Sequence, residues 1–356
     1  MILGTTTIMN EVRLLFVTRN YPPQIGGMER YSYDLYHSLK DELSIDLLKH
    51  STGKLYLPIF FIRCLLFLLI NGRSYTHIHF GDAVLSPLAY FAKVLTKAGI
   101  SITVHALDII FDNRVYQLIV PRCLVKLDKI VAVSRFTLEQ CVRRGIDKDR
   151  CFLIPNGINI SELVDPVLTL GQVTGKYNID TSDKKILFSI GRLIKRKGIR
   201  WFVERVMPRL GEEYVYLIAG SGPEFEDIAE TISAFNLERQ VYLLGRISDS
   251  EKSCLYLNSA LYLMPNISIP GDAEGFGITI IEAAAYGLPA IASNIEGIPD
   301  TITAGVTGIL VEQGNVEQYI DAITRATFDR DRIRKLTRDK YDWAVLKNEY
   351  RRLIFR

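Results

Sequence analysis

Residues 271–287 read GDAEGFGITIIEAAAYG, and two glutamates in this stretch, Glu274 and Glu282, are separated by seven residues. Glu274 lies in a loop punctuated by glycines, and Glu282 lies in a predicted helix. Gly275 and Gly277 leave the backbone bare where the helix begins, so its free N–H groups can approach a ligand closely. Those groups, at the positive end of the helix dipole, favour an anion. Because glutamates beside an anion suit a ligand that also carries hydroxyls, the stretch predicts binding of a phosphorylated polyol such as a nucleotide-sugar.

Four further blocks of sequence flank this stretch. Residues 191–198 upstream read GRLIKRKG; downstream, residues 288–293 read LPAIAS, 294–300 read NIEGIPD and 305–315 read GVTGILVEQGN. Alone, the glutamate spacing would also suit a capped surface helix. With these blocks in this order, the sequence resembles the retaining glycosyltransferases of family 4, also called glycosyltransferase group 1. The resemblance covers nearly the whole chain and implies the α/β fold termed GT-B, in which two Rossmann-like, doubly wound domains face each other across a cleft.

The length of the chain, 356 residues, predicts two domains of about 150 residues or more. We predict an N-terminal, acceptor-side Rossmann-like domain over residues 1–165 and a nucleotide-sugar-binding Rossmann-like domain over residues 166–339. A linker is expected over residues 166–183. The resemblance further implies that a helix over about residues 340–356 packs back on the first domain.

The charge and the cysteines exclude some classes of function. The net charge is only +3, which gives no electrostatic support for a nucleic-acid partner, although the part up to Asp165 is modestly basic, with 19 basic and 15 acidic residues. Five scattered cysteines without CxxC spacing predict reduced thiols rather than disulfides or a metal site. The beginning of the sequence, in which Met9 is an alternative start, lacks the features of a signal peptide. We therefore expect a cytoplasmic protein, either soluble or peripheral on the inner face of the cytoplasmic membrane.

Short apolar runs alternate with helical stretches along both halves, which predicts parallel, doubly wound sheets. The strands predicted in the first half are residues 12–18, 44–48, 77–80, 100–105, 129–134 and 151–155. Those predicted in the second half are residues 185–190, 215–219, 241–244, 261–264, 290–293 and 308–311. Ligands of such sheets bind at the carboxyl ends of the strands, so the residues that follow each strand are the candidate functional residues.

Gly26 and Gly27 lie between the first predicted strand and a helix predicted from about Glu29 to Lys40. A strand, two glycines and a helix form the arrangement by which a Rossmann first turn approaches phosphate. An ordinary tight turn is the alternative for a lone glycine pair. In family 4 this loop faces the donor phosphates and the acceptor, so the resemblance implies that Gly26 and Gly27 bind the donor.

Arg192 and Lys197 follow the strand predicted at residues 185–190. Glycosyl transfer from a nucleotide-sugar leaves a nucleoside diphosphate, whose growing negative charge a guanidinium and an ammonium can neutralise without a metal. A basic surface turn is the alternative for such a pair in isolation. Its place before the two-glutamate stretch favours a role in catalysis and donor binding. Lys195 and Arg196 are expected to be solvated.

The resemblance assigns further parts of the donor site. It implies that Glu274 is a catalytic residue that contacts hydroxyls of the donor sugar, and that Glu282 holds the ribose hydroxyls. Arg246 occupies a position where the backbone of family members meets the nucleobase. Backbone N–H groups would meet the sugar and the diphosphate at Phe276, Gly277, Ile278 and Thr279.

His105 ends an apolar strand, within the sequence ITVHALD. A structural core histidine is the alternative, but the family commonly places a histidine at such a strand end, near the reacting sugar. The resemblance therefore implies a catalytic role for His105 on the acceptor side, with Asp108 as its partner or as an acceptor contact. Two more histidines, His77 and His79, are expected to alternate across a strand, so that at most one faces the site.

The mechanism is inferred from residues that are missing. No residue stands out as the carboxylate nucleophile of a retaining double displacement. We therefore expect same-face transfer, in which the leaving diphosphate helps to deprotonate the acceptor hydroxyl and catalysis rests on positioning and electrostatics. Two D-x-D pairs, at residues 147–149 and 329–331, lie in charge-rich segments, so no metal site is predicted and no cofactor is expected beyond the donor substrate. The stretch AGSGPEF, residues 219–225, has Phe225 in place of the third glycine of a dinucleotide fingerprint, so no nicotinamide site is predicted there.

Residues 55–70 read LYLPIFFIRCLLFLLI, which is more apolar than one buried face of a helix requires. The run is shorter than about 20 residues and contains Pro58 and Arg63, so no membrane span is predicted. Two alternatives remain open. The run is either a helix buried deep in the first domain or a face that docks on a membrane, with Arg63 and Arg73 near anionic headgroups.

Together these observations predict a metal-independent, retaining hexosyltransferase. It would move a hexose from a UDP- or GDP-hexose to a hydroxyl of a glycan or lipid-linked glycan, in cell-surface polysaccharide biosynthesis, with an anionic membrane surface as a further partner. The alternatives are a soluble glycosyltransferase with a small acceptor and a nucleotide-sugar epimerase of the same fold, since a fold does not fix a function. The glutamate pair, Glu274 and Glu282, and the basic pair, Arg192 and Lys197, are both complete, which argues against a non-catalytic binding protein.

Overall fold

The computed structural model describes residues 12–24, 26–51 and 56–355, and these form two compact units. The first unit runs up to Asn159 and also takes in the segment from Tyr341 onward, and the second runs from Ile160 to Lys340. The boundary between them therefore falls slightly before the one expected at residue 165. Met9 and the first residue of the apolar run at 55–70, Leu55, lie outside the described residues.

Most strands of each unit are apolar on both faces, as parallel sheets covered by helices require. The strands of the first unit are β1 (Arg13–Thr18), β2 (Ser44–Lys49), β3 (His77–Phe80), β4 (Gly99–Val104), β5 (Lys129–Ala132) and β6 (Cys151–Leu153). Those of the second unit are β7 (Lys185–Ile190), β8 (Tyr214–Ala219), β9 (Val241–Gly245), β10 (Leu261–Met264), β11 (Ala290–Ser293) and β12 (Gly308–Val311). They lie where the apolar runs predict them, within one or two residues at most ends.

Helices lie between the strands in both units. In chain order they are α1 (Gly27–Leu39), α2 (Leu57–Asn71), α3 (Ser86–Leu95), α4 (Leu107–Ile110), α5 (Arg114–Leu124), α6 (Arg135–Arg143), α7 (Leu170–Lys176), α8 (Ile199–Arg205), α9 (Phe225–Ala234), α10 (Asp249–Asn258), α11 (Ile278–Ala285), α12 (Val316–Arg325), α13 (Arg330–Tyr341) and α14 (Trp343–Phe355). Side chains fix several of their starts: Ser134 accepts from the N–H of Thr137 before α6, and Ser248 forms a capping box with Glu251 before α10.

Neighbouring strands are parallel, but the strand order differs between the two sheets. The first sheet has the order β2-β1-β3-β4-β5-β6 and the second β12-β11-β10-β7-β8-β9. The second order is that of a Rossmann dinucleotide-binding domain, and the first begins as in flavodoxin-like domains. The order reverses between β1 and β3 in the first sheet and between β7 and β10 in the second. The predicted doubly wound α/β fold is therefore confirmed, and these two switch points are where ligands of such sheets bind.

Different helices cover the two sides of the first sheet. Along β1, Leu15 belongs to the core formed with α2, α3 and α5, whereas Phe16 belongs to the core formed with α1 and α14. The C-terminal helix α14 packs against α1 within the first unit. Gly157 allows a close approach of this helix, because a Cβ at that position would lie only 2.8 Å from the side chain of Leu346.

The segment expected as a linker, residues 166–183, contains a helix. Helix α7 begins with a capping box between Thr169 and Gln172. It packs against α10, where the ammonium of Lys176 donates to the buried carboxylate of Glu251 (2.7 Å). The linker expectation is wrong for these residues. Two glycines and a short apolar pattern give a weak helix signal, and the helix is stabilised by tertiary contacts.

Candidate active site

The loops that follow β7 and β10 meet at the switch point of the second sheet. Residues 191–198, here termed the basic loop, follow β7. Gly198 has a φ of 64°, and a Cβ there would lie 2.0 Å from the carbonyl oxygen of Pro265, so only glycine permits this approach. The N–H of Ile267 also donates to the carbonyl of Arg196 (2.9 Å). The basic loop is therefore fixed against the loop after β10.

Glu274 lies in the loop after β10 and accepts hydrogen bonds from three side chains. Its Oε2 accepts from the guanidinium of Arg196, from Lys197 Nζ (2.6 Å) and from Asn266 Nδ2 (3.3 Å). Its Oε1 accepts no hydrogen bond from any residue that the structure describes. The side chain is 15% exposed. One oxygen thus holds the carboxylate in place, and the other remains able to accept from a ligand hydroxyl.

The charge of Glu274 is stabilised by its neighbours. Burial alone would raise its pKa, but the charges of Lys197 and Arg196 outweigh burial and lower this pKa to about 2. The side chain of Arg196 is only 5% exposed and also donates to Asp272 (3.0 Å). The expectation that Arg196 is solvated is therefore wrong. Its carboxylate partners lie 76 and 78 residues further along the chain, beyond the reach of any local pattern.

Helix α11 begins beside this carboxylate, and its N-terminus has the bare backbone that the glycines predict. Gly277 precedes the helix in the left-handed conformation, with a φ of 88°. The first N–H groups of the helix, at Ile278 and Thr279, have no acceptor within it. The hydroxyl of Thr279 accepts from Tyr262 (2.7 Å) and keeps its own O–H as a donor. The side chain of Phe276 is buried, so Phe276 offers a ligand only its backbone.

Glu282 lies on the second turn of α11 and is half-buried. The phenol of Tyr256 donates to its Oε2 (3.2 Å). Burial would lower the pKa of Lys252, but the charges of Glu282 and of Asp249 raise it. Glu282 therefore has a cation nearby and lies on the same helix whose N-terminus adjoins Glu274.

Arg192 and Arg246 are exposed and follow two strands of the second sheet. Arg192 lies at the start of the basic loop and lines a small pocket together with Lys197 and Asn266. Arg246 directly follows β9, and its Nε donates to the hydroxyl of Ser221 (3.2 Å). Both guanidinium groups thus lie at the carboxyl ends of strands, where a ligand can reach them.

The glycine-rich stretch at residues 219–225 serves loop packing. A Cβ at Gly220 would lie 1.8 Å from the carbonyl oxygen of Gly191, and a Cβ at Gly222 would lie 2.3 Å from that of Leu193. The loop after β8 therefore lies directly against the basic loop. This close contact explains the two glycines without a nicotinamide cofactor.

His105 lies at the end of β4 in the first unit and is held as a neutral imidazole. Its Nε2 lies 3.0 Å from the carbonyl oxygen of Gly81, and because a carbonyl only accepts, Nε2 carries the proton. Burial lowers the pKa of His105 to about 4, against the opposing charge of Asp82. The ring of Tyr31 packs edge-on against it, with 4.7 Å between the ring centroids. At pH 7 its Nδ1 is therefore an acceptor.

The backbone after His105 is strained. Ala106 has a φ of 72° and a ψ of −69°, and the N–H of Leu107 donates to the carbonyl of His105 (3.1 Å). These values define a γ-turn, a conformation that non-glycine residues adopt at an energetic cost. Such strain at a strand end supports a functional role for this position.

Asp108 does not pair with the imidazole of His105. Its Oδ1 accepts from the backbone N–H of His105 (2.8 Å) and its Oδ2 from that of Ala83 (2.9 Å). The residue is buried, and burial raises its pKa to about 6 although both hydrogen bonds oppose this shift. The expectation of a side-chain partnership is therefore wrong. Asp108 ties the end of β4 to the turn after β3, and both of its oxygens are engaged with the backbone.

A cluster at the first switch point was missed by the sequence analysis. The guanidinium of Arg19 donates to Asp82 Oδ1 and the amide of Asn20 donates to Asp82 Oδ2, both at 2.9 Å. Asp82 is fully buried, and burial raises its pKa against the lowering effect of Arg19. Arg19 and Asn20 follow β1, and Asp82 follows β3 after one glycine. Polar residues directly after two apolar strands were the signal that could have found them.

Gly26 and Gly27 lie at the start of α1 and are exposed, as an approach to phosphate requires. A Cβ at Gly26 would lie 2.3 Å from Glu29 Oε2, so this carboxylate lies over the N-terminus of the helix. A carboxylate at this position is favoured by the helix dipole. A phosphate that approached these glycines would have to displace it.

His77 and His79 lie on the same face of β3, because residues two apart in a strand share a face. The expectation that they alternate is therefore wrong. Both rings lie within hydrogen-bonding distance of the hydroxyl of Ser101, at 2.7 and 2.8 Å. Burial lowers the pKa of each to about 3. They are neutral, structural groups of the core and not ligands at a strand end.

Comparison with known proteins gives two matching family models. The family described as glycosyl transferases group 1 matches residues 176–343, and the family described as glycosyltransferase family 4 matches residues 44–162. Together they include β2 to β6 of the first unit and all strands of the second.

Relatives and solved structures agree with these families. The phosphatidylinositol N-acetylglucosaminyltransferase GPI3 subunit of Saccharomyces cerevisiae is 26% identical over 231 residues, which are 62% of this chain and 49% of that protein. The GDP-mannose-dependent alpha-(1-6)-phosphatidylinositol monomannoside mannosyltransferase of Mycobacterium tuberculosis is 22% identical over 94% of each chain. The structure of Anabaena Alr3699/HepE in complex with UDP superposes with a TM-score of 0.80 and 14% identity, over 97% of this chain and 100% of that one. The chain thus has the GT-B fold, and it spans about half the length of the first curated relatives that it matches.

Proposed function

Since the chain belongs to the group 1, family 4 glycosyltransferases, we propose that it transfers a hexose from a UDP- or GDP-hexose to a hydroxyl of a lipid-linked glycan or glycan. The two relatives described above have names that include a phosphatidylinositol acceptor, which favours an acceptor bound to a lipid. We further propose that the reaction belongs to cell-surface polysaccharide biosynthesis in the cytoplasm. A soluble acceptor and an epimerase reaction are the alternatives that the experiment below separates.

One observation carries the proposal. Glu274 is held ionised by Arg196 and Lys197 at the switch point of the second sheet, directly beside the bare N-terminus of α11. The carboxylate offers Oε1 to a sugar hydroxyl, while the helix N-terminus attracts an anion. A sugar joined to a diphosphate can contact both the carboxylate of Glu274 and the N-terminus of α11. A free sugar or a free phosphate would contact only one of them.

The basic loop supplies the charge for the leaving group. Arg192 is exposed and lines the same pocket as Lys197, so a diphosphate can contact the guanidinium and the ammonium together. Lys197 then exchanges part of its contact with Glu274 for the phosphate. Glu282 is proposed to accept from the ribose hydroxyls, with Arg246 near the base. These charges stabilise the nucleoside diphosphate as the glycosidic bond breaks.

The proposed stereochemical course is retention by same-face transfer. A leaving phosphate oxygen accepts the proton of the acceptor hydroxyl on the side from which it departs, so no protein nucleophile is required. His105 is neutral, with Nδ1 as acceptor, and we propose that it orients a hydroxyl of the acceptor or of the sugar. Catalysis then rests on positioning and on fixed charges.

The test is a screen of UDP- and GDP-hexoses, in which nucleotide release is measured with and without lipid-linked and soluble acceptors. We expect release that depends on one donor and on an acceptor. Isomerised nucleotide-sugar without an acceptor would establish an epimerase, and release with a small soluble acceptor alone would establish the soluble alternative. No release from any donor would contradict the proposal.

Two variants then assign the glutamates. Glu274→Ala should mainly lower kcat, because Glu274 is proposed to contact the reacting sugar, and Glu282→Ala should mainly raise KM for the donor. Kinetics equal to those of the unmodified protein in both variants would remove this stretch from the site.

A further inference from the structure

Three neighbouring helices on one side of the first sheet, α2, α3 and α5, expose apolar side chains. Helix α3 packs against both α2 and α5. We term their outer surface the three-helix face. Its exposed apolar side chains include Ile59, Ile62, Leu66, Ile70, Val94 and Leu118. Single exposed apolar residues are ordinary, but a set that extends over adjacent helices marks an interaction surface.

Helix α2 contributes most to this face. Its buried residues, Phe60, Cys64 and Leu68, are four apart and form one narrow stripe against the sheet. Outside the stripe, Ile62 and Leu66 are 59% and 53% exposed. A helix of an ordinary soluble surface would have polar residues there. The deep burial considered for this run from its sequence is therefore wrong.

Helix α2 also lies flat on its unit. Among the described residues, 57–74 form one helical stretch that is long and apolar enough, by these two criteria alone, to cross a membrane. The α-helical part has 15 residues. At about 1.5 Å per residue this part falls short of the roughly 30 Å of a bilayer core. Since its buried stripe packs on the sheet, the helix presents its side and not its end to a partner.

The charge of this face is positive. Helices α2, α3 and α5 contain no aspartate or glutamate in their sequences. Three exposed arginines, Arg63 on α2 and Arg114 and Arg122 on α5, lie among the apolar residues, and Arg73 follows α2. The acidic groups nearest in sequence are the exposed Asp112 before α5, Asp128, which is paired with Lys93 of α3, and Asp82, which is buried and paired with Arg19.

We propose that the three-helix face docks the protein on an anionic lipid bilayer. Apolar side chains with arginines among them match the hydrocarbon boundary and the anionic headgroups of such a surface. A bilayer also accepts side chains spread over three helices without a matching shape. This inference goes beyond the proposed function, because it concerns binding that needs neither donor nor acceptor.

The test is co-sedimentation of the full chain with phosphatidylglycerol vesicles and with phosphatidylcholine vesicles, without donor or acceptor. We expect binding to the anionic vesicles that weakens as salt is raised. The variant Ile62→Ser/Leu66→Ser should lower the partition coefficient at least about tenfold, and Arg63→Gln/Arg73→Gln should lower it on anionic vesicles only. Phe60 is left intact because it belongs to the core.

A matched control is Phe235→Ser, an apolar residue of the second unit that is 43% exposed. It should bind vesicles like the unmodified protein, and thermal unfolding should show that all variants remain folded. The absence of vesicle binding by the folded, unmodified protein would overturn the proposal. So would a dimer in solution that Ile62→Ser/Leu66→Ser dissociates while vesicle binding is unchanged, since the face would then join two copies of the chain.

Discussion

The strand ends of the two sheets carry similar kinds of polar residue, but Glu274 of the second unit is held charged and His105 of the first unit is held neutral. In the second unit, Lys197 and Arg196 overcome burial and lower the pKa of Glu274 to about 2. In the first unit, burial lowers the pKa of His105 to about 4 and raises that of Asp108 to about 6. Glu274 is therefore fully ionised at neutral pH, whereas His105 is neutral.

The difference arises from the partners of each group. Glu274 is surrounded by the side chains of cations, whose charge opposes desolvation. His105 and Asp108 have backbone partners, Gly81 for the ring and the N–H groups of His105 and Ala83 for the carboxylate, and these supply no full charge. A site made of fixed charges suits an ionic ligand such as a diphosphate-sugar. The neutral imidazole of His105 suits a hydroxyl.

The largest expected effect comes from removing the central cation of the second unit. Arg196→Ala leaves Asp272 and Glu274 without their buried partner, and breaking such a pair costs about 3–5 kcal/mol. Unfolding by urea, followed by circular dichroism, measures the loss. Lys195→Ala, at the exposed neighbouring position, is the control and should stay within about 0.5 kcal/mol. If the two variants are equally stable, the charged network does not hold the loops together.

The stability of the same variant should also depend on pH differently from that of the unmodified protein. A carboxylate with a lowered pKa stabilises the folded state above its ordinary pKa of 4.5, and this contribution is lost as the pH falls through about 2. The difference between Arg196→Ala and the unmodified protein should therefore shrink over that window. A difference that stays constant from neutral pH to pH 2 would contradict the assignment of charge to Glu274.

Lys197 gives the next largest effect, on catalysis. Losing a charge-assisted contact to a phosphate costs about 2–4 kcal/mol, so Lys197→Ala should lower kcat/KM for the donor at least about tenfold. Arg192→Lys should retain less than full activity, because a lysine cannot make the bidentate contact of a guanidinium. Nucleotide release measures both. Full activity of Lys197→Ala, with loss of activity in Lys195→Ala, would mean that the basic loop contacts the donor through a different residue.

Asp108 probes the backbone-bound site of the first unit. In Asp108→Asn one of the two N–H donors, that of His105 or that of Ala83, faces an amide NH₂ and loses its acceptor, which costs about 1–3 kcal/mol. The control is Asp112→Asn, an exposed residue shortly after it, whose stability should be unchanged. Equal denaturation midpoints for the two variants would show that Asp108 does not hold the end of β4.

Chelation should have the smallest effect. Because Arg192 and Lys197 are proposed to neutralise the diphosphate, nucleotide release in excess EDTA should equal that without it. Complete loss of turnover that manganese or magnesium restores would show that the charges of the second unit do not suffice.

The elements of the fold and the position of the two-glutamate stretch follow from local features of the sequence. Apolar runs of strand length and the glycines around Phe276 are local features, and local propensity and periodicity decide such elements. For this reason the strands and the start of α11 lie where they were predicted. Polar residues at strand ends were informative for the same reason, although two of them, Arg19 and Asp82, were overlooked.

Which of these residues are buried, and what they contact, depends instead on tertiary packing. Arg196 belongs to the same loop as the exposed Lys195, and it is buried only because Asp272 and Glu274 arrive from the loop after another strand. Asp108 was expected as the partner of His105 or as an acceptor contact, and its two oxygens bind backbone N–H groups. The exposure of Ile62 and Leu66 likewise depends on which stripe of α2 the sheet covers. Burial and pairing are set by residues distant in sequence, and the free energy of a charge depends on them, so no local pattern could have fixed these roles.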